Sequence, residues 1–382
     1  MTFGPFLSIF QTSGKVCRFD FVCFSKKNLK QDFSLCAKSL PDAAWILKPP
    51  SSSCGRRIRV APSFAEIGIT PHDNWVQTHR PLVQRYLETP LLDGHKFTFR
   101  VYVVLTGVDP LRVYVYGDGL TRIASRKYSS DKDSFDDPFV HLDSIDVNDK
   151  NSEAVEFSIP TLETEGLRST IMRTLDHFVF TAGIDKDKVW REIETVIVKS
   201  VLCAEGDMLA GVRNLVRHRG SCFDLLGYDI LLDKQFKPWI IEINHSPSMA
   251  PLTTMENRVK HAMLTDYFRL ADVALEDRAS LRELVGRFSR SVRRLSSDAT
   301  PYALADFAKM EREQKFDPAR LSDRDIYTLV NRFLENSRKG GFECVFPCVD
   351  MLERYGPFYK KNRNVLHQVW IKERRTLEGF LK

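Results

Sequence analysis

The chain has 382 residues and no uninterrupted apolar run of about 18, which excludes a membrane-spanning helix. Met1 to Phe10 is apolar but lacks a basic stretch and is too short to read as a signal peptide. The cysteines, Cys17, Cys23, Cys36, Cys54, Cys203, Cys222, Cys344 and Cys348, form no pairs of pairs. That spacing excludes a disulfide scaffold and points to reduced thiols in a cytosolic protein; Cys344 and Cys348 are ordinary thiols. Neither GxxxxGK[ST] nor GxGxxG occurs, so the two commonest nucleotide folds are not indicated. Repeats, low-complexity tracts and nucleophile motifs of the Ser–His or Cys–His type are missing as well. What remains is an ordinary soluble composition, 43% apolar and 28% charged. A chain of this length buries a core without metal or disulfides and has room for two or three domains.

Charge is uneven. Arg278 to Lys382 holds 22 Lys and Arg against 14 Asp and Glu, a net of +8, leaving 34 against 36 in residues 1–277. A basic end on a near-neutral body suggests an acidic partner. Its aromatics fall on apolar stripes rather than in a basic–aromatic groove, which argues against nucleic acid.

Residues 1–40 show weak periodicity and are assigned no structure. In KFTFRVYVVLT (96–106), Phe97, Phe99, Val101, Val103 and Leu105 alternate with Lys96, Thr98 and Arg100. The pattern predicts a half-buried strand with a charged face. A turn at Val108 to Leu111 leads to a second strand, 112–116, closed by Gly117-Asp118-Gly119. Helices are predicted along the stripe Leu167, Ile171, Leu175, Phe178, Val179 and, with Asp185 as cap, from Val189 to Val201. Further helices follow the stripe Leu281 to Leu295 and span 323–335, the latter opened by Ser322 and Asp325.

The most informative stretch is FDLLGYDILLDKQFKPWIIEINHSP, Phe223 to Pro247. A hairpin turning at Lys234-Gln235, with paired numbers summing to 469, puts Tyr228, Ile230, Leu232, Trp239, Ile241 and Ile243 on one face. Asp229, Glu242 and Asn244 then share the other with Gly227, Leu231 and Ile240, because side chains alternate. Two carboxylates and an amide oxygen are hard ligands of the kind that hold Mg²⁺ together with substrate phosphates. Phosphate also needs cations: Lys48 precedes a Ser/Gly loop, and Lys96 and Arg100 share a strand face.

In this order the segments WILKPPSSSCGRRIRV, VQRYLETPLLDGHKFTFRVYV, DPLRVYVYGDGLTRIA, HLDSIDVN, CFDLLGYDILLD and KPWIIEINHSPSM resemble the tubulin–tyrosine ligase-like family. The resemblance covers about Trp45 to Leu270, with a further trace at Arg338 to Pro347, and is nearest to the branch that glutamylates tubulin. It implies an α+β ATP-grasp fold, with mainly antiparallel sheets flanked by helices. The divisions it implies are an N-terminal remnant (1–40), a central subdomain (41–90), a catalytic subdomain (91–275) and a basic helical extension (276–382) that meets microtubules.

Carried over by position, Lys48 and Lys96 would contact the phosphates of ATP, and the backbone of Gln84, Arg85, Tyr86 and Leu87 would hold adenine. Arg100 and Arg122, with Lys96 in the catalytic set, would orient the amino-acid and acceptor carboxylates. Asp229, Glu242 and Asn244 would bind Mg²⁺, Asp229 also facing the nucleotide. The implied activity joins free glutamate to glutamate side chains of tubulin tails through an acyl phosphate. Two alternatives remain: a catalytically weak nucleotide- and microtubule-binding protein, or a ligase using glycine, tyrosine or another acidic protein. The expected setting is a cytoplasmic, microtubule-associated monomer, with cilium or basal body included, that binds neither membrane nor nucleic acid.

Several positions depart from the family pattern. A glycine is expected at Arg57, an acid at Thr98 and a Thr-Asn pair at Asp143-Ser144. A Lys-Trp pair ahead of the helix at Leu167 is missing, and Met1–Leu40 has no recognisable equivalent.

Overall fold

The structure is a computed structural model. It describes residues 21–23, 43–49, 58–70, 74, 82–143, 145–148, 151, 162–215, 223–271, 278–295, 299–303, 306, 316–356 and 358. The strands are β1 (Phe21–Cys23), β2 (Trp45–Lys48), β3 (Arg59–Ala61), β4 (Leu82–Arg85), β5 (His95–Val108), β6 (Leu111–Lys127), β7 (Arg168–Thr170), β8 (Asp224–Leu232), β9 (Pro238–His245) and β10 (Phe342–Phe346). The helices are α1 (Pro138–His141), α2 (Ile145–Asn148), α3 (Ile171–Ala182), α4 (Lys186–Leu215), α5 (Thr254–Leu270), α6 (Arg278–Arg293), α7 (Asp323–Ser337) and α8 (Met351–Tyr355).

Two antiparallel sheets organise these elements. The smaller runs β1-β4-β2-β3, and the larger β10-β6-β5-β8-β9 with β7 paired to β6. The architecture is therefore α+β, as expected. Within residues 1–40, Phe21–Cys23 pairs with Leu82–Gln84 of β4.

β5 lies at the centre of the larger sheet. Its alternate residues Phe97, Phe99, Val101, Val103 and Leu105 enter the main core with Leu175 and Phe178 of α3 and Ile193, Ile197 and Val201 of α4. A fully buried Phe contributes about 1.5–3 kcal/mol by leaving water, so this alternation dictates which face meets the helices. On the opposite face Tyr102 and Val104 pack with Tyr114, Met263, Leu270 and Phe342, beneath α5. Lys96, Thr98 and Arg100, on the same face but nearer the start of the strand, are left to line a polar site. The sequence pattern implies a charged, solvated face here; the structure buries all three.

β6 does not stop at Gly117-Asp118-Gly119. Val101 pairs with Gly119 and Val103 with Val115, so a bulge absorbs Tyr116 to Asp118 and the strand continues to Lys127. A Cβ on Gly119 would lie 2.3 Å from the Arg100 carbonyl oxygen, so the bulge requires glycine. Asp118 accepts from the Gly119 and Met172 N–H groups, tying the bulge to the start of α3.

Residues beyond 276 join the same core. Phe288 and Val292 of α6, Leu329 and Val330 of α7, and Tyr355 of α8 pack into it, while β10 pairs with β6. Ser322 and Asp325 form the expected capping box at the start of α7. No helix among the described residues is long and apolar enough to cross a membrane.

Candidate functional site

Three rungs of cross-strand neighbours line the polar face. Arg168 of β7, Arg122 of β6 and Thr98 of β5 lie directly across from one another. The next rung is Arg100 of β5, Asp229 of β8 and Glu242 of β9, and the third is Tyr102, Gly227 and Asn244. Asp229, Glu242 and Asn244 thus share a face, but through a register other than the expected one. Asp229 pairs with Glu242, and a bulge at Ile241 shifts the rest so that Ile230 meets Ile240. Ile240 consequently joins the core rather than the carboxylate face. The bulge leaves the Ile241 carbonyl to accept from Lys48 Nζ at 3.4 Å, linking the small sheet to the large one.

Asp229 is the most heavily partnered group. Arg100 Nε reaches Oδ1 at 2.6 Å and Nη2 reaches Oδ2 at 3.0 Å, while Arg122 Nη1 and Asn244 Nδ2 reach Oδ2 at 3.3 and 3.2 Å. Burial alone would raise this carboxyl, but Arg122 and Arg100 outweigh it and hold it below the ordinary carboxylate range. Gly227 makes the Arg100 approach feasible: a Cβ there would stand 3.1 Å from Arg100 Cδ and 2.8 Å from Pro247 Cβ.

Glu242 makes no hydrogen bond or ion pair among the described residues. Burial and the Asp229 charge push its carboxyl upward. Like charges directly across a ladder are destabilising, and a cation between them removes that cost. Asn244 spends its amide nitrogen on Asp229 and the Gly227 carbonyl, which leaves its oxygen as an acceptor. This donor set fits Mg²⁺ held partly by substrate phosphates; no group of three His, Cys, Asp or Glu among the described residues forms a self-sufficient metal cage.

Lys48 and Lys96 border the same cleft. Burial lowers both ammonium groups, Lys48 against the opposing charges of Glu242, Asp229 and Asp143, and Lys96 down to about 7. Lys96 Nζ donates to the Leu87 carbonyl at 3.2 Å and sits 3.7 Å from the centre of the Tyr86 ring. Tyr86 in turn donates to His141 Nδ1 at 2.7 Å, because His141 Nε2 must donate to the Ser134 carbonyl at 3.0 Å. Burial and the nearby Lys96 charge bring His141 down to about 4, consistent with this neutral tautomer.

Lys48, Lys96, Arg100, Arg122, Asp229, Glu242 and Asn244 therefore meet around one cleft. Gln84 shares the Lys48 face of the small sheet, whereas Arg85 pairs with Trp45 and lies on the reverse face. Gln84 pairs with both Ile46 and Phe21, so it lies inside the small sheet; the Tyr86 N–H donates to Ala44. Arg57 and Ser144 lie outside the described residues.

Thr98 and Asp143, two of the departures, touch: the Thr98 hydroxyl donates to Asp143 Oδ2. Burial raises the Asp143 carboxyl, with Asp229 adding to the effect and Arg122 opposing it. Arg168 was not singled out by sequence, since its three-residue strand has no periodicity to read. Its Nε donates to Glu256 Oε1 at 3.0 Å and its Nη1 to the Leu167 carbonyl at 2.8 Å. Lys260 Nζ holds the other Glu256 oxygen at 2.9 Å.

Antiparallel sheets flanked by helices, with Lys48 and Lys96 beside a carboxylate pair, are the α+β arrangement of an ATP-grasp-like protein. Residues 11–281 match the tubulin-tyrosine ligase family, and the chain belongs to that family. It is similar to a tubulin monoglutamylase of Homo sapiens, 32% identical over 373 residues, covering 90% of this chain and 30% of that protein. A tubulin polyglutamylase of Homo sapiens is 30% identical over 355 residues, covering 88% and 27%. A probable beta-tubulin polyglutamylase of Tetrahymena thermophila is 29% identical over 311 residues, covering 80% and 24%. The chain thus spans under a third of the length of these relatives.

Proposed function

We infer that this chain is an ATP-dependent ligase that joins free glutamate to glutamate side chains of tubulin tails. The observation that carries the reading is the pair of rungs in which Arg122 and Arg168 stand beside the Asp229–Glu242 carboxylate pair. Such a site brings carboxylate recognition and metal–phosphate binding within one cleft. ATP-dependent ligation requires both. The family membership and the similarity to tubulin glutamylases support the same reading.

In the reaction, an oxygen of the acceptor carboxylate displaces ADP from the γ-phosphorus. The amine of the incoming glutamate then displaces phosphate from the acyl carbon, forming an isopeptide bond. Lys48 and Lys96 supply point charges for phosphate oxygens, and Arg122 orients carboxylate. Arg100 holds Asp229 ionised and correctly aimed. Mg²⁺, held by Asp229, Glu242 and Asn244, would neutralise charge developing on the phosphates.

The acidic acceptor has a complementary surface. Arg282, Arg287, Arg290, Arg293 and Arg294 are exposed on or just beyond α6. This basic face would steer acidic tails and weaken as salt rises. Microtubule association follows from the same surface.

One observation favours a second reading, a nucleotide- and microtubule-binding protein with weak turnover. Asp143 places an extra carboxylate where phosphates gather, and like charge there opposes their binding. Incubation with microtubules, ATP, Mg²⁺ and labelled glutamate, read by mass spectrometry, separates the two. Glutamate added to tubulin tails supports the ligase. Microtubule binding without incorporation supports the second reading, and incorporation of glycine or tyrosine instead would overturn the choice of co-substrate.

A further inference from the structure

The geometry points to a reciprocal exchange between Thr98 and Asp143: the acid expected on β5 is carried instead just past α1, and from there Asp143 is the positioning residue for Lys96. This rests on the ligase reading above for the task of Lys96 at phosphate, and it names the carboxylate that supports that lysine.

Two departures from the family pattern are complementary. β5 carries threonine where an acid is expected, and position 143 carries an acid where threonine is expected. The structure brings these positions, 45 residues apart, into contact, the Thr98 hydroxyl donating to Asp143 Oδ2. Taken alone, Asp143 adds a carboxylate to the cleft. Counted with Thr98, the pair holds one carboxylate and one hydroxyl, the same two groups on exchanged backbones. The charge is relocated rather than gained, which favours the ligase over the reading with weak turnover.

Lys96 is the group this carboxylate serves. Residues 96 and 98 alternate onto one face of β5, so an acid on either side of the Thr98–Asp143 contact lies beside the lysine. The Lys96 ammonium sits 3.7 and 5.0 Å from the ring centres of Tyr86 and Tyr128 and donates to the Leu87 carbonyl. His141 faces the same group as a neutral ring. None of these supplies a full negative charge. Two carboxylates oppose desolvation of the ammonium, Asp143 more strongly than Glu88. Glu88 is exposed and paired with Lys234 at 2.6 Å, and an exposed pair of that kind holds little. The other cations near Asp143 have nearer counter-charges: Arg122 pairs with Asp229, Arg168 with Glu256, and Lys48 feels Glu242 and Asp229 first. Asp143 is therefore the charge on which Lys96 chiefly depends.

NMR of the full chain with its lysines labelled at Cε, followed as pH rises, tests the assignment, and Lys96→Met identifies the Lys96 signal. Wild type should titrate at about pH 7. Asp143→Asn keeps an acceptor for the Thr98 hydroxyl but removes the charge, so it should move the Lys96 midpoint down by about 0.5 pH unit or more. Affinity for ATP with Mg²⁺ should then decline at a correspondingly lower pH. Asp143→Thr should behave in the same way. Thr98→Asp combined with Asp143→Thr should return both midpoints to the wild-type values, since the carboxylate is back beside Lys96. An unchanged Lys96 midpoint in Asp143→Asn, or a double variant that titrates like Asp143→Thr, overturns the exchange. If the double variant does not fold, the nearly isosteric Asp143→Asn decides. Microtubule glutamylation is measured separately: a Lys96 midpoint that follows the carboxylate, without incorporation by wild type, sinks the ligase reading and leaves the exchange standing.

Discussion

The Arg100 guanidinium crosses the face of Gly227 to grip both carboxylate oxygens of Asp229, 129 residues away in sequence, at 2.6 and 3.0 Å. That buried pair anchors the site, because it fixes both the charge and the orientation of Asp229.

Gly227→Ala should therefore act on a residue it does not replace. The new methyl would press on Arg100 and Pro247, forcing the guanidinium off Asp229. Mg²⁺-dependent ATP binding is expected to fall at least 10-fold with the fold retained, as read by calorimetry and circular dichroism. Unchanged nucleotide affinity would show that Arg100 does not need that path.

Removing one partner of the pair should cost more than removing a surface charge. Arg100→Met leaves Asp229 buried with one cation fewer, and breaking a buried ion pair from one side costs about 3–5 kcal/mol. The expected outcome is a lower urea midpoint at an unchanged slope. A change below about 1 kcal/mol would mean that Arg122 and Asn244 suffice for Asp229.

Glu242→Gln should separate stability from function. It removes a like charge opposite Asp229, so the metal-free protein should gain about 0.5 kcal/mol. ATP turnover should fall by at least two orders of magnitude, since a hard ligand is lost. A variant that is less stable and fully active would remove Glu242 from the metal set.

Lys96 predicts a pH dependence. Burial lowers it from 10.5 to about 7 despite Asp143 and Glu88 nearby, while the neutral His141 adds no charge. Below pH 7 the ammonium is charged and can contact phosphate; above it the free protein loses that charge. ATP affinity should then decline as pH rises beyond about 7, by up to tenfold per unit. For stability the sign is opposite: between about 7 and 10.5 the unfolded chain binds more protons at this group, so its contribution rises with pH. Lys96→Met should flatten both profiles.

Exposed arginines on α6 give a last test. Reversing Arg282 and Arg290 to Glu should weaken microtubule co-sedimentation several-fold and reduce its salt dependence, because fewer charge contacts are screened. Retention of wild-type binding would move the tail-contacting surface elsewhere.

Much of the architecture was legible in the sequence because it is encoded by local rules. Alternation marks β5, the stripe from Ile171 marks α3, and Ser322 with Asp325 marks the start of α7. Convergence of Asp229, Glu242 and Asn244 follows from the hairpin's short closure. The bulge at Ile241 was invisible, since one extra residue leaves no mark on a strand already rich in Ile. The bulge in β6 was misread as a strand end, because glycine and aspartate signal turns and bulges alike.

Sequence alone determined β5, the helices α3 and α7, the shared face of the carboxylate hairpin and the family resemblance. Each depends on residues close in the chain or on motifs kept in order. Only the tertiary structure decided that Arg168 stands beside Arg122, that Thr98 and Asp143 meet, and that Lys48 reaches the Ile241 bulge. Those neighbours lie 46, 45 and 193 positions apart, and no local periodicity reports a contact created when separate strands and sheets close around one cleft.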